Sequence, residues 1–138
     1  MAIIGVSFSR INIEKKEMVK GKINISNNIV IKDVKEKDLA PGRSIDQKGL
    51  QFFFSFASKY EPNVAEIALE GDVLFVGTNK QAGEIAAAWK KDKKVEKELM
   101  AAVLNTALAK CNIEALILSQ QLNLPPPIPL PKISAKKA

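Results

Sequence analysis

The sequence predicts a small α+β domain, a four-stranded antiparallel sheet packed against a short and a long C-terminal helix. Two changes of pattern support this fold class. Apolar and polar residues alternate through the first half of the chain, and after about residue 77 apolar residues recur every three or four positions. With 138 residues, 46% of them apolar, the chain can form one core and has little room for a second.

The first two predicted strands each contain an irregularity. Apolar residues stand at Ile4, Val6 and Phe8 and then, one position out of phase, at Ile11 and Ile13. This shift predicts either a β-bulge, because an extra residue in one strand exchanges its two faces, or a strand that changes which face it buries. The second strand follows Gly21, and its apolar residues share one parity: Ile23, Ile25, Ile29 and Ile31. Its two central asparagines, at positions 27 and 28, predict a kink.

The third strand is the clearest, and we expect it to anchor the core. Its apolar face consists of Leu50, Phe52, Phe54 and Phe56. Burying each phenylalanine contributes about 1.5–3 kcal/mol to stability. Phe53 breaks the alternation, so the opposite face should be partly covered. The segment 60–63 is the expected turn into a fourth strand, in which Ala65, Ile67, Leu69, Gly71, Val73 and Phe75 share one parity.

Two helices are predicted after this strand. Thr78 or Asn79 can cap a short helix that ends near Lys91 and carries Trp89 on its inner side. A longer helix runs from about Lys94 to Gln121. It is apolar around most of its circumference, whereas one sheet face accepts one apolar stripe. A second copy of the chain is therefore expected to cover the excess, through an interface of Leu99, Met100, Val103, Leu104, Ala107 and Leu108.

Residues 122–131 contain five prolines and are expected to form an extended, polyproline-like arm. The arm either lies over the surface of its own domain, because exposing Ile128 and Leu130 is costly, or docks on a proline-binding partner. We expect one domain over residues 1–131, arm included, and a disordered basic tail over residues 132–138.

Residues that carry out chemistry are scarce. The chain has no histidine, and its one cysteine, Cys111, lies within an apolar helical pattern typical of a small buried side chain. No glycine-rich phosphate loop and no metal-binding spacing occurs. Glu66, Glu70 and Asp72 share a strand face that we expect to be exposed to solvent, where carboxylates keep their ordinary pKa values. We therefore predict a non-enzymatic protein with no cofactor and no metal.

The net charge of +6 is spread along the chain. Three of the lysines, Lys132, Lys136 and Lys137, lie in the tail, and most of the others alternate with acidic residues. Nucleic acid is not expected as a partner, because its recognition requires the basic residues to be gathered on one face. No apolar stretch approaches the roughly 20 residues that span a bilayer. The N-terminus lacks the features of a signal peptide, so a cytoplasmic protein is expected.

The order of elements resembles that of the SecB-type export chaperones, and local segments do as well. Segments 8–13 and 28–34 are similar to the first two strands of that family, and segment 64–76 to the strand that enters the helices. The sequence Gln121-Leu122-Asn123-Leu124 before proline resembles a family segment that is rich in leucine, asparagine and proline. The resemblance covers roughly residues 6–127, and uncharacterised archaeal proteins are similar in pattern as well.

The resemblance implies a homo-oligomer, a dimer or tetramer, that offers apolar grooves to unfolded polypeptides. By position, the groove would be lined by Phe53, Leu74, Val76, Trp89, Leu122, Leu124, Ile128 and Leu130. The family differs in having an acidic surface and an acidic tail that engage a motor ATPase, whereas this chain is basic and ends in lysines.

The first functional hypothesis is therefore a SecB-like holdase for unfolded or nascent polypeptides. An adaptor or assembly subunit that docks one protein partner is the alternative, and a nucleic-acid-binding protein is a weaker third.

Overall fold

The computed structural model describes residues 2–16, 21–39 and 46–129. The chain forms four strands and then two helices: β1 (Ala2–Lys15), β2 (Asn24–Lys37), β3 (Gln47–Glu61), β4 (Ala65–Thr78), α1 (Asn79–Asp92) and α2 (Lys97–Gln121). The predicted fold class, an antiparallel sheet followed by a short and a long helix, is confirmed.

All strand pairs are antiparallel, and their order across the sheet is β1-β4-β3-β2, so β1 and β2 are the edge strands. The even-numbered residues of β3 from Leu50 to Tyr60 are buried, as are the odd-numbered residues of β4 from Ala65 to Phe75. These residues form the inner face, against which both helices pack. The intervening residues form the outer face and are partly exposed.

The predicted bulge of β1 is confirmed, although it lies slightly earlier than expected. The register of β1 against β4 shifts between Ile3 and Gly5 and again between Phe8 and Arg10. At the second shift β1 approaches β4 so closely that only a glycine fits opposite it. A Cβ atom at Gly71 would clash with the Ser7 carbonyl oxygen.

The kink predicted at Asn27-Asn28 is wrong. Both asparagines pair in regular register with β3, opposite Ser58 and Ala57. The irregularity of β2 lies instead between Ile31 and Asp33. Asparagine is disfavoured in strands, but this tendency is weaker than the packing of flanking isoleucines on the same face.

The core lies between the inner face and the two helices. Phe54 meets Phe8 of β1 edge-to-face at 6.2 Å between ring centroids, and Phe52 meets Phe75 in the same way at 6.3 Å. Helix α1 begins with a capping box, in which the Thr78 hydroxyl accepts from the Gln81 amide and the Gln81 side chain accepts from the Thr78 amide. It contacts β2, β3 and β4, whereas α2 contacts all four strands.

The expectation that no apolar stretch is long enough to span a bilayer is wrong for α2. It spans 25 residues and reaches a mean hydropathy of 1.4 over an 18-residue window, which by length and composition is enough to cross a membrane. The core helix of a globular domain can have the same composition. Here the residues at four-residue spacing, Val103, Ala107, Cys111 and Ala115, are all fully buried within the core.

Candidate functional site

The outer face of the sheet is mainly a charged surface. Glu70, near its centre, accepts a hydrogen bond from Lys32 at 2.7 Å and lies 3.8 Å from the Arg10 guanidinium. The hydrogen bond and charge of Lys32 lower the pKa of Glu70, so the expectation of an ordinary value is wrong for this carboxylate. In residues 2–16, 21–39 and 46–129, no cluster of three or more cysteine and carboxylate side chains could hold a metal ion.

Two of the predicted groove residues, Phe53 and Leu74, lie on this outer face. The register pairs Phe53 with Asp72 and Gln51 with Leu74, so the two apolar side chains are diagonal neighbours. The Lys35 ammonium lies 5.7 Å from the centre of the Phe53 ring. Leu74 lines a shallow cavity of about 210 Å³ together with Ile4 of β1.

Val76 has the strand parity of Leu74 and is on the same side of β4, whereas Trp89 lies in the core beneath α1; each is only 6% exposed. Trp89 belongs to the core cluster, and its indole N–H donates to the Asp33 carboxylate at 3.2 Å, at the bulge of β2. An indole held in this way joins α1 to the edge of the sheet. In the single chain both residues act as packing residues.

Leu122, Leu124 and Ile128 lie on the proline arm, and Leu130 falls outside the described residues. The eight predicted groove residues are therefore distributed over three places, the outer face, the core beneath α1 and the arm. The structure does not bring them together in one groove.

The arm, residues 122–129, lies against its own domain without forming helix or strand. Its start is fixed by a hydrogen bond from the Leu124 amide to the Ser119 carbonyl and by burial of the Leu124 side chain. Three side chains from the sheet then donate to arm carbonyls. These contacts are Lys15 to Leu122 at 3.2 Å, Tyr60 to Pro125 at 2.6 Å and Asn27 to Pro127 at 2.8 Å.

Tyr60 is the central donor of this set. Its side chain is only 1% exposed, and burial raises the pKa of its hydroxyl to about 12. The hydroxyl therefore keeps its proton at neutral pH and acts as a donor to the Pro125 carbonyl. No sequence signal identifies Tyr60 or Asn27 as arm-binding residues, because the contact joins segments about 65 and 100 positions apart.

The surroundings of the arm contain unfilled space and one unsatisfied hydroxyl. A cavity of about 350 Å³ lies between Ile128, β2 and Leu108 of α2, and another of about 230 Å³ lies beside Leu124 and Pro126. The Ser58 side chain is fully buried opposite Asn27, and its hydroxyl has no hydrogen-bond partner within the described ranges. A buried hydroxyl without a partner costs about 1–3 kcal/mol.

Helix α2 exposes apolar surface on the side away from the sheet. We define the outer α2 face by five residues at helical spacing, Ala102, Asn105, Ala109, Ile113 and Ile117. It carries no charge, and its two isoleucines are 62% and 47% exposed. Neither isoleucine was among the predicted site residues, although both lie in the same broadly apolar pattern.

The residues predicted for an oligomer interface divide between two environments. Val103 and Ala107 are fully buried in the chain's own core. Leu99, Met100, Leu104 and Leu108 are half-buried. A contact between copies through α2 would therefore use the half-buried residues together with the outer α2 face.

Cys111 is fully buried on the inner side of α2, and burial raises the pKa of its thiol to about 12. Only the thiolate reacts readily, so we expect alkylation at pH 8 to be on the order of a thousand-fold slower in the folded chain than in urea. Mass spectrometry after timed iodoacetamide treatment measures both rates. An Ala87→Cys variant, at an exposed position of α1, is the control and should react rapidly in the folded state. Equal rates for the two cysteines would contradict the prediction.

The open edge of β1 is partly occupied by α2. Lys110 donates to the Val6 carbonyl oxygen at 3.3 Å, and its ammonium lies 5.9 Å from the centre of the Phe8 ring. A carbonyl on an edge strand would otherwise face solvent or another chain.

Comparisons with known proteins are informative at the level of the fold. No family model matches the sequence, and no curated protein matches it significantly. Among solved structures, the fold is similar to a SecB-like chaperone from Mycobacterium tuberculosis, solved in complex with a ChAD peptide from an antitoxin. The TM-score is 0.59 at 17% sequence identity, over 96% of this chain and 90% of the other. The chain therefore has a SecB-like fold, as the resemblance in sequence predicted.

Proposed function

We propose that this chain, whose fold is SecB-like, is a non-enzymatic holdase that binds unfolded or nascent polypeptides in the cytoplasm as a homo-oligomer. The observation that carries the proposal is the outer α2 face, whose five residues are uncharged and on which Ile113 is 62% and Ile117 is 47% exposed. Soluble monomers rarely expose contiguous apolar surface, and where they do it marks an interaction site.

The composition of the chain is consistent with binding rather than catalysis. A holdase needs apolar surface and free hydrogen-bonding groups, and it needs no nucleophile or general base. Phe53 and Leu74 add an apolar patch on the outer face. We keep the eight predicted groove residues as candidate client contacts, beginning with these two. Export chaperones engage their motor ATPase through an acidic surface and tail, whereas this chain is basic. We therefore assign it no motor partner.

The proposal predicts that the purified protein suppresses aggregation of a chemically denatured enzyme at a near-stoichiometric ratio. Light scattering after dilution of the denatured enzyme measures this directly. The test variant carries Phe53→Ser and Leu74→Ser and is compared with the unmodified chain. It should suppress aggregation less well but unfold at a similar denaturant concentration. Both side chains are half-buried on the outer face rather than in the core.

Absence of suppression at several-fold molar excess would overturn the holdase assignment. Recovery of one dominant protein, rather than many, after cross-linking in a native extract would favour an adaptor instead.

A further inference from the structure

The arm has the hydrogen-bonding character of a ligand rather than of a strand. Pro125, Pro126, Pro127 and Pro129 have no amide hydrogen, so this stretch offers carbonyl acceptors and almost no donors. Beyond the Leu124 amide, which donates to the Ser119 carbonyl, the sheet binds the arm in the complementary way, through side-chain donors. Lys15, Asn27 and Tyr60 contact backbone oxygens of the arm, and these contacts do not depend on the identity of the arm side chains.

The arm also fits its groove incompletely. Leu124 and Pro127 are buried, whereas Ile128 remains half-exposed beside a cavity of about 350 Å³. The Ser58 hydroxyl, fully buried opposite Asn27 on the same face of the sheet, is left without a partner by the arm. A segment that had only a structural role would be expected to fill this space and satisfy this group.

We propose that the arm is a built-in occupant of a peptide-binding groove, and that an extended apolar segment of an unfolded polypeptide displaces it. The groove is formed by Asn27, Ser58 and Tyr60 of the sheet and by Leu108 and Leu116 of α2. The inference rests on the proposed function and adds its regulation, because the arm competes with the client for the groove. A client with exposed carbonyls can use the same donors and can also reach Ser58.

The first test uses a fluorescent peptide with the sequence of residues 122–129 and measures its anisotropy with full-length chains. An arm-weakened chain, Leu124→Ser with Pro127→Gly, keeps the groove intact. It should bind the peptide about ten-fold more tightly than the unmodified chain, whose groove is empty for only a fraction of the time. Adding Asn27→Ala to the arm-weakened chain should reverse most of the gain. The matched control, Gln121→Ser with Pro129→Gly, changes two exposed positions and should leave the affinity unchanged.

Equal peptide affinity for the unmodified and arm-weakened chains would overturn the proposal. A second result would also overturn it. If adding the unmodified chain releases the peptide from the arm-weakened chain, the arm of one copy binds the groove of another, and the arm is not an occupant of its own groove.

A second measurement uses only the unmodified chain and therefore does not depend on whether the variants fold. Methyl NMR follows Leu124 and Ile128 while a denatured client is added. We expect both signals to move to their positions in the free arm peptide as the client binds. A client that binds, by its own anisotropy, and leaves both signals unmoved would overturn the displacement mechanism. If no client binds, the holdase proposal fails, and the peptide experiment still decides whether the groove is an exchangeable site.

Discussion

Replacing Gly71 with alanine is expected to lower the free energy of unfolding by about 3 kcal/mol or more, at or above the usual upper range for overpacking a core. A Cβ atom at this position would clash with the Ser7 carbonyl oxygen and would lie 2.9 Å from the Phe8 Cα. Both are backbone atoms, so no side-chain rotation can relieve the clash. β1 would have to move away from β4, and the Phe8–Phe54 contact would be lost with it.

Urea denaturation, followed by circular dichroism, measures this effect. Gly5→Ala is the matched control, because Gly5 lies on the same strand pair and no atom is within 4 Å of its added Cβ. It should change stability by less than about 1 kcal/mol, as a surface substitution does. A Gly71→Ala chain as stable as the control would contradict the backbone approach described for β1.

Replacing Ile113 and Ile117 together with lysine is expected to reduce the solution mass to that of a single chain, 15.1 kDa. The outer α2 face carries no charge, and its alanines allow another helix to approach closely. Two lysines there would place like charges opposite each other in a symmetric dimer. Because both isoleucines are largely exposed in the single chain, its own stability should change by less than about 1 kcal/mol.

Light scattering coupled to size exclusion provides the mass. Ala87→Lys with Ala88→Lys introduces the same charge at exposed positions of α1 and should leave the oligomer intact. If the unmodified chain already elutes as a monomer, the proposed self-association is wrong. The apolar surface of α2 would then be available to clients without any dissociation step.

The arrangement of the inner face could be predicted from the sequence, because it follows from a period of two. Leu50, Phe52, Phe54 and Phe56 occupy alternate positions, and a strand places alternate side chains on one side, even though Phe53 interrupts the polar set opposite. The turn predicted at residues 60–63, which the structure has at 62–64, and the cap at Thr78 were also predictable, since proline, asparagine and threonine act locally there.

What could not be predicted depends on contacts between distant segments. Asn27 reads locally as a strand breaker, yet its pairing with Ser58 and its bond to Pro127 keep it in a regular strand. The need for glycine at position 71 arises from the path of β1, more than 60 residues earlier in the chain. A periodic pattern contains no information of this kind.

The division of α2 into buried and exposed sides was also beyond the sequence. Its hydrophobic residues surround the helix, so the pattern does not distinguish Val103, which is fully buried, from Ile113, which is largely exposed. The groove residues implied by the family resemblance were not found in one groove for a related reason. Matching positions along two sequences does not establish which side chains share a surface.

The contact between Lys110 and the rim of β1 has a consequence for edge-to-edge association of chains. A neighbouring chain seeking to extend the sheet at Val6 would first have to expel an ammonium group that already occupies the carbonyl oxygen. The charge is supplied by a helix rather than by the strand itself, so at Val6 the long, isoleucine-rich β1 is a poorer template for an added strand.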